Sequence, residues 1–373
     1  MEKGAKLVLD PGSDTLKAGF ASDDVPSLVC RDLVYKVEES DDKVYGGDVI
    51  EIDLPGHECA HITELHPVEH GIVVKMDVMQ DIFDKALANL DVNSNECSIL
   101  IAESPINPNY LRERMCEIMF EYFEVSSLCI QDSSVLSLLS SGLSTGTVIE
   151  SGDSSTYTSV VYGGSVLKDA IPKTFYAGSS LTKYLAHLVS KRKGETCSEI
   201  PLSYLKTLKE KLAFVSEDYD ADLKLAKATN LYEREYTLPD GEIITVNEER
   251  LKCGEGLFVP QMYGCSCPGI HLQVHRTLEL VDSHIRKTAC RNIVLSGGNT
   301  MFSGLAMRLQ IEMNKLFPSK LGVKVIESPV SERRFATWVG GSIMASLDSM
   351  KDKWVSKHDF MDQGPQVINK ETK

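Results

Sequence analysis

Apolar and polar positions follow two rhythms along this chain, and their alternation sets its class. Residues 7–9 are a short apolar run ending on Asp10, the pattern of a buried strand with a carboxylate at its tip. Pro11-Gly12 breaks the run, Ser13-Asp14 complete a tight turn, and residues 15–20 leave as a second strand with Thr15, Lys17 and Gly19 on one face. Residues 98–102 form a continuous apolar strand of the kind a buried parallel sheet uses, and 126–131 and 292–296 read as further strands. Between them the period lengthens to that of a helix. Met76, Met79, Ile82 (or Phe83), Ala86 and Leu90 make one stripe, and Leu111, Met115, Ile118 and Tyr122 another, opened by Asn107 as N-cap and Pro108 in the first turn. Residues 181–189 and 203–215 are also helical in pattern, as is the stretch bearing Leu305, Leu309, Met313 and Leu316. Residues 135–139 predict a short helix stopped by Gly142, and 236–246 a strand–turn–strand on Pro239-Asp240-Gly241. Residues 323–326 are expected to be the last strand, 338–347 the closing helix, and the stretch from Val355 a polar tail.

A second copy of the opening hairpin sharpens its meaning. Residues 147–161 repeat the arrangement: an apolar strand, Glu150, a turn of Ser151, Gly152, Asp153 and Ser154, then a β-branched exit strand. Such a hairpin can aim backbone N–H groups at an anion, with a carboxylate at hand for a metal, or it can be a plain turn over a core. Two facing hairpins would clamp a phosphate chain and its metal from both sides. Gly297-Gly298, after a third strand, would let a flat or anionic ligand approach the backbone. The expected class is α/β: two related halves, each a sheet flanked by helices, with a ligand cleft between them.

Composition narrows the partners. A chain of 373 residues has room for two or more domains, and a net charge of −15 argues against binding nucleic acid through its phosphates. The basic run Lys191-Arg192-Lys193 is too short to reverse that, and the acid-rich stretches at 38–42 and 217–222 read as solvated faces or loops. The first residues lack a secretory pattern, and no stretch approaches the ~20 apolar residues of a membrane helix, so no membrane role is expected. Ten scattered cysteines suit reduced thiols in an intracellular protein. Cys265, Cys267, His271 and His275 could supply four zinc ligands, but they are spaced more tightly than in a finger and read instead as a loop before a helix.

Ordered strings then carry a family likeness. They are Asp-Pro-Gly-Ser and Lys-Ala-Gly-Phe within 10–20, Pro-Val-Glu-His-Gly at 67–71, and Arg-Glu-Arg-Met and Ile-Met-Phe-Glu within 112–121. Glu-Ser-Gly-Asp at 150–153, Lys-Glu-Lys-Leu at 209–212, Leu-Pro-Asp-Gly at 238–241, Ser-Gly-Gly-Asn-Thr-Met at 296–301 and Trp-Val-Gly-Gly-Ser-Ile-Met-Ala-Ser-Leu at 338–347 continue them. From residue 7 to about 367 the chain resembles actin and the actin-related proteins. The resemblance implies an actin-like two-lobed duplicated fold of four subdomains, with ATP or ADP and Mg in the cleft. The first lobe would be 1–140 plus 331–373, with a small subdomain inserted at about 31–70. The second would be 141–330, with another at about 179–255. Carried over by position, Gly12, Ser13 and Lys17, with Asp14 in the same turn, would hold phosphates from one lobe, and Gly152, Asp153 and Ser154 from the other. Asp10 and Glu150 would hold Mg through its waters. Gly178, Lys209, Glu210, Gly297, Gly298, Asn299, Phe302 and Arg334 fall where the family contacts adenosine and ribose.

The departures from the family pattern shape the expected function. Asp14 stands where a glycine is usual, and at ~4–5 Å and an effective dielectric near ~20 its repulsion of a phosphate would be on the order of 3–4 kcal/mol unless the carboxylate turns outward. The glutamine and histidine that orient the attacking water fall on Ser133 and Tyr157, with Gln131 two residues from the first. Losing them removes ~10²–10⁴-fold in rate, so a slow or absent ATPase is expected. The loop at 35–44 is shorter than the family's and carries Glu38, Glu39, Asp41 and Asp42, which a hydrophobic socket would not accept without partners. That counts against homopolymerisation, and residues 370–373 lack the family's Cys-Phe finish. Leu139, Val339, Met344, Leu347 and Ser349 match a groove that takes amphipathic helices from protein partners, or are simply core. The expected function is a divergent, largely structural nucleotide-binding subunit of a cytoskeletal or other multiprotein assembly, in cytoplasm or nucleus. The alternatives are a filament-forming ATPase, a subunit of a nuclear chromatin-remodelling complex, and, more remotely, a small-molecule kinase of the same superfold.

Overall fold

The apolar run at 7–9 lies where such a run has to lie, with both faces covered: Leu7, Val8 and Leu9 have no exposed surface. It is the middle of β1 (Lys6–Pro11), which turns into antiparallel β2 (Thr15–Phe20), itself paired with β3 (Leu28–Arg31). The computed structural model describes residues 4–37, 43–45, 62–193, 200–326 and 328–370. The chain divides into two compact units, Met1–Gly142 with Phe335–Lys373, and Leu143–Arg334.

Unit one continues into a three-stranded sheet of β4 (Val34–Val37), β5 (Lys43–Tyr45) and β6 (Ile62–Leu65), then a short hairpin of β7 (Val68–Glu69) and β8 (Ile72–Val73). The acidic stretch at 38–42, on which the polymerisation argument rested, lies outside the described residues. α1 (Met76–Asn89) buries Met79, Ile82, Phe83 and Ala86 on the expected stripe. β9 (Ser98–Glu103), α2 (Asn109–Glu117), β10 (Ser127–Asp132) and α3 (Ser133–Leu139) complete the first pass. β1, β9 and β10 run parallel, as fully apolar strands should.

Two details of α2 differ from expectation. Pro108, not Asn107, occupies the cap, while the Asn107 amide donates to Glu103 at 2.8 Å. Residues 118–122 then wind as one π turn, whose wider loop advances the apolar stripe by a residue. Tyr122 therefore faces out and Phe123 faces in.

Unit two opens with β11 (Gly146–Ser151), β12 (Thr156–Tyr162), β13 (Ser165–Val166) and β14 (Lys173–Thr174). α4 (Gly178–Lys193), α5 (Leu202–Leu212), α6 (Tyr219–Ala228), the hairpin β15 (Arg234–Thr237) and β16 (Ile243–Val246), and α7 (Glu248–Glu255) follow. α8 (Ile270–Glu279), α9 (Ser283–Arg291), β17 (Ile293–Ser296) and α10 (Leu305–Leu316) close it. β11 pairs with β12 antiparallel and with β17 parallel, the same relations β1 has to β2 and β9.

Here too tertiary pairing overrides local pattern. α5 stops at Leu212, because the Val215 amide is taken by the Ser303 carbonyl at 2.9 Å, so the apolar residues at 213–215 serve a bridge and not a helix. The acidic stretch at 217–222 is a solvated bend and the exposed start of a helix, as one of its two readings had it. Asp218 caps α6 by accepting from the Ala221 amide at 3.1 Å, and Asp220 and Asp222 sit in the first turn, where the helix dipole favours them. Residues 323–326 supply one bridge, Val325 to Ile293, and no strand. Among the described residues no group of three His, Cys, Asp or Glu could hold a metal ion, and residues 265–269 lead into α8.

The chain then returns to unit one as α11 (Ala336–Ser346), β18 (Val355–Ser356) and α12 (Lys357–Gln363). With β18 on β10, the main sheet has the order β18-β10-β9-β1-β2-β3. The closing stretch is not a polar tail: Phe360 stacks on Phe120 with ring centroids 4.8 Å apart, and Val367 and Ile368 are buried. Its few apolar residues stand among polar ones, and composition alone hides them. No described helix is long and apolar enough to cross a membrane.

Candidate functional site

In unit one the residues expected to bind phosphate gather at the β1–β2 turn. The Gly12 amide donates to the Thr15 carbonyl at 3.1 Å, and a Cβ on Gly12 would lie 2.9 Å from that same oxygen, so the turn needs glycine. Asp10 and Lys17 are directly opposite in the ladder, and their charged groups meet at 3.1 Å with both side chains largely covered. Ser13 and Asp14 form the tip, and the Asp14 carboxylate lies 3.6 Å from the Arg31 guanidinium on the neighbouring strand.

The residue after Arg31 is a component that sequence reasoning passed over. Asp32 is 1 % exposed, and neither of its carboxylate oxygens has a hydrogen-bond partner among the described residues. Burial pushes its carboxyl up to about 8; Lys17 opposes the shift, and Asp10 and Asp14 add to it. Its backbone amide donates to the Asp14 carbonyl at 2.9 Å, which ties it to the turn. The signal was a charged pair, Arg31-Asp32, set between apolar residues on both sides.

Unit two reproduces the turn. The Gly152 amide donates to the Ser155 carbonyl at 3.1 Å, and Glu150 lies opposite Tyr157 where Asp10 lies opposite Lys17. Glu150 is largely buried, and Gly152, Asp153 and Ser154 make the tip. The start of α4 closes on this tip: the Gly178 amide donates to the Gly152 carbonyl at 3.0 Å, and the Ser179 amide to the Asp153 carbonyl at 2.9 Å. Lys209 is held beside it, donating to the Gly178 carbonyl at 2.7 Å and the Thr182 hydroxyl at 2.9 Å, and burial pulls its pKa below the usual lysine value. It fastens α5 to α4 while Glu210 next to it is exposed.

The Gly297-Gly298 pair divides its labour. Gly297 has φ +93°, and a Cβ there would lie 2.4 Å from the Ser151 carbonyl, so it serves packing against β11. A Cβ on Gly298 would meet nothing within 4 Å, which leaves its backbone open. Asn299 is buried and donates to the Ser151 hydroxyl at 2.8 Å, while its Oδ1 lacks a hydrogen-bond partner among the described residues. Phe302 belongs to the core of unit two, and Arg334 is exposed.

The remaining expected residues fall as follows. Gln131 lies at the end of β10 opposite Ala102, Ser133 begins α3, and Tyr157 is buried on β12. Of the groove residues, Leu139 and Val339 are half-buried, and Leu347 and Ser349 are exposed. Met344 is 3 % exposed and so lies beneath the surface instead of on it. The family model described as Actin matches the chain in two segments, residues 1–202 and 199–373.

Proposed function

This chain belongs to the actin family, and from that premise we propose that it binds ATP or ADP with magnesium as a largely structural ligand. In this reading it is a subunit of a cytoskeletal or other multiprotein assembly and hydrolyses nucleotide slowly or not at all. The observation that carries the reading is the pair of equivalent turns, each closed by a glycine amide at 3.1 Å and each following a buried carboxylate. Short turns of this kind leave their tip amides for an anion. The open backbone at Gly298 and the unsatisfied Asn299 Oδ1 fit the same ligand.

Gly12, Ser13 and Lys17 serve the phosphates from unit one, and Gly152, Asp153 and Ser154 from unit two. Asp10 and Glu150 would hold magnesium through its waters, and the ion's charge would offset that of the phosphates. Gly178, Gly298, Asn299 and Arg334 serve the nucleoside. Lys209 acts mainly by holding Gly178 in place, given its two existing bonds. Weak hydrolysis follows from Ser133 and Tyr157, which stand where the family orients water. The half-buried Leu139 and Val339 with exposed Leu347 form the face we assign to a partner's amphipathic helix.

Calorimetry with Mg-ATP and Mg-ADP, paired with a phosphate-release assay, tests the reading. Tight binding with turnover far below that of conventional actin is expected. Absence of binding, or turnover equal to conventional actin, overturns it. Sedimentation after adding Mg-ATP and salt separates the filament alternative, since a robust pellet would favour that one.

A further inference from the structure

A carboxylate at the tip of a phosphate-binding turn is a liability, and the neighbouring strand holds a remedy. The register of β2 with β3 sets Arg31 opposite Thr15, the residue that follows Asp14. The Asp32 amide donates to the Asp14 carbonyl, so the end of β3 is fastened to the turn by the sheet and does not depend on a mobile loop. Alternation along β3 sends Arg31 to the exposed face, 3.6 Å from the Asp14 carboxylate, and Asp32, just past the end of the strand, turns inward.

We propose that Arg31 is a positioning residue for nucleotide binding: it draws the Asp14 carboxylate toward β3 and neutralises it, so that the turn can accept phosphate. The inference rests on the nucleotide reading above and adds a residue to it. Charge accounting around the hairpin supports it. Lys17 balances Asp10 and Arg31 balances Asp14, which leaves the turn near neutral. Asp32 adds little negative charge at neutral pH because burial favours its protonated form. Without Arg31 the Asp14 carboxylate would lose this counter-charge beside the phosphates, where like charges repel.

The alternative role for Arg31 is direct contact with phosphate, and a double-mutant cycle distinguishes the two. Binding of Mg-ADP is measured by calorimetry for the full chain and for Arg31→Met, Arg31→Lys, Asp14→Gly and the Asp14→Gly/Arg31→Met double variant. Arg31→Met is expected to weaken binding by about tenfold or more, while Arg31→Lys, which keeps the charge, stays within about threefold. Asp14→Gly should bind at least as well as the parent, and adding Arg31→Met to it should change little. The exposed position of Arg31 makes misfolding a minor concern, and a urea midpoint for each variant controls for it. Equal losses from Arg31→Met with and without Asp14 overturn the proposal, as does no loss in either. In both cases nucleotide binding itself stands. A parent chain that binds no Mg-ADP overturns both.

Discussion

Lys17 reaches across its hairpin to Asp10, ammonium to carboxylate at 3.1 Å, between two residues directly opposite in the ladder. The lysine is thereby held at the turn before any ligand arrives, and its other donors remain for an anion. Lys17→Met should lower affinity for Mg-ADP by roughly 10- to 100-fold, the range of a charged hydrogen bond. Calorimetry reads it, and unchanged affinity would remove Lys17 from the site.

Asp32 gives the protein a pH dependence whose sign is fixed. The unfolded chain releases this proton near pH ~3.9, whereas the folded chain keeps it until about 8. Between those values the native state binds more protons, so rising pH favours unfolding. The contribution is fully present below the lower value and lost as pH passes the upper one. The slope is at most ~1.4 kcal/mol per pH unit for one proton. Asp32→Asn should flatten that slope in urea unfolding from about pH 5 to 8; parallel curves for parent and variant would contradict the assignment.

Gly340 sets how closely α11 lies on α3. A Cβ there would sit 1.8 Å from the Leu136 carbonyl oxygen, and backbone cannot yield as a side chain can. Gly340→Ala should cost about 3 kcal/mol or more, the upper part of the overpacking range. Chemical denaturation checks this, and a cost below ~0.5 kcal/mol, as at an exposed site, would mean the two helices are farther apart.

Phe360 tests the docking of the closing segment. Truncation to alanine removes a buried ring stacked on Phe120 and should cost about 3–5 kcal/mol in the same measurement. A solvated tail would lose almost nothing.

What the sequence made legible were the long periodic elements and the twin acidic turns. β1, β9 and α1 follow from runs or stripes that report burial directly. Elements decided by distant partners were hidden. Residues 213–215 look helical but are claimed by Ser303, and the π turn at 118–122 shifts a stripe without any local mark. At the two turns, the glycines and carboxylates were visible in order. The Asp14–Arg31 pairing was not, because strand register, not proximity in sequence, brings the two together.

The assembly of unit one from two separated stretches bears on how the chain is made. Trp338 donates to the Val8 carbonyl at 3.1 Å, and Lys6 to the Ala345 carbonyl at 2.6 Å, so the earliest strand is finished by one of the latest helices. At ~5–20 residues per second, synthesis of the roughly 190 intervening residues takes about ten to forty seconds. For that interval the nascent front half carries an unroofed apolar face on the ribosome.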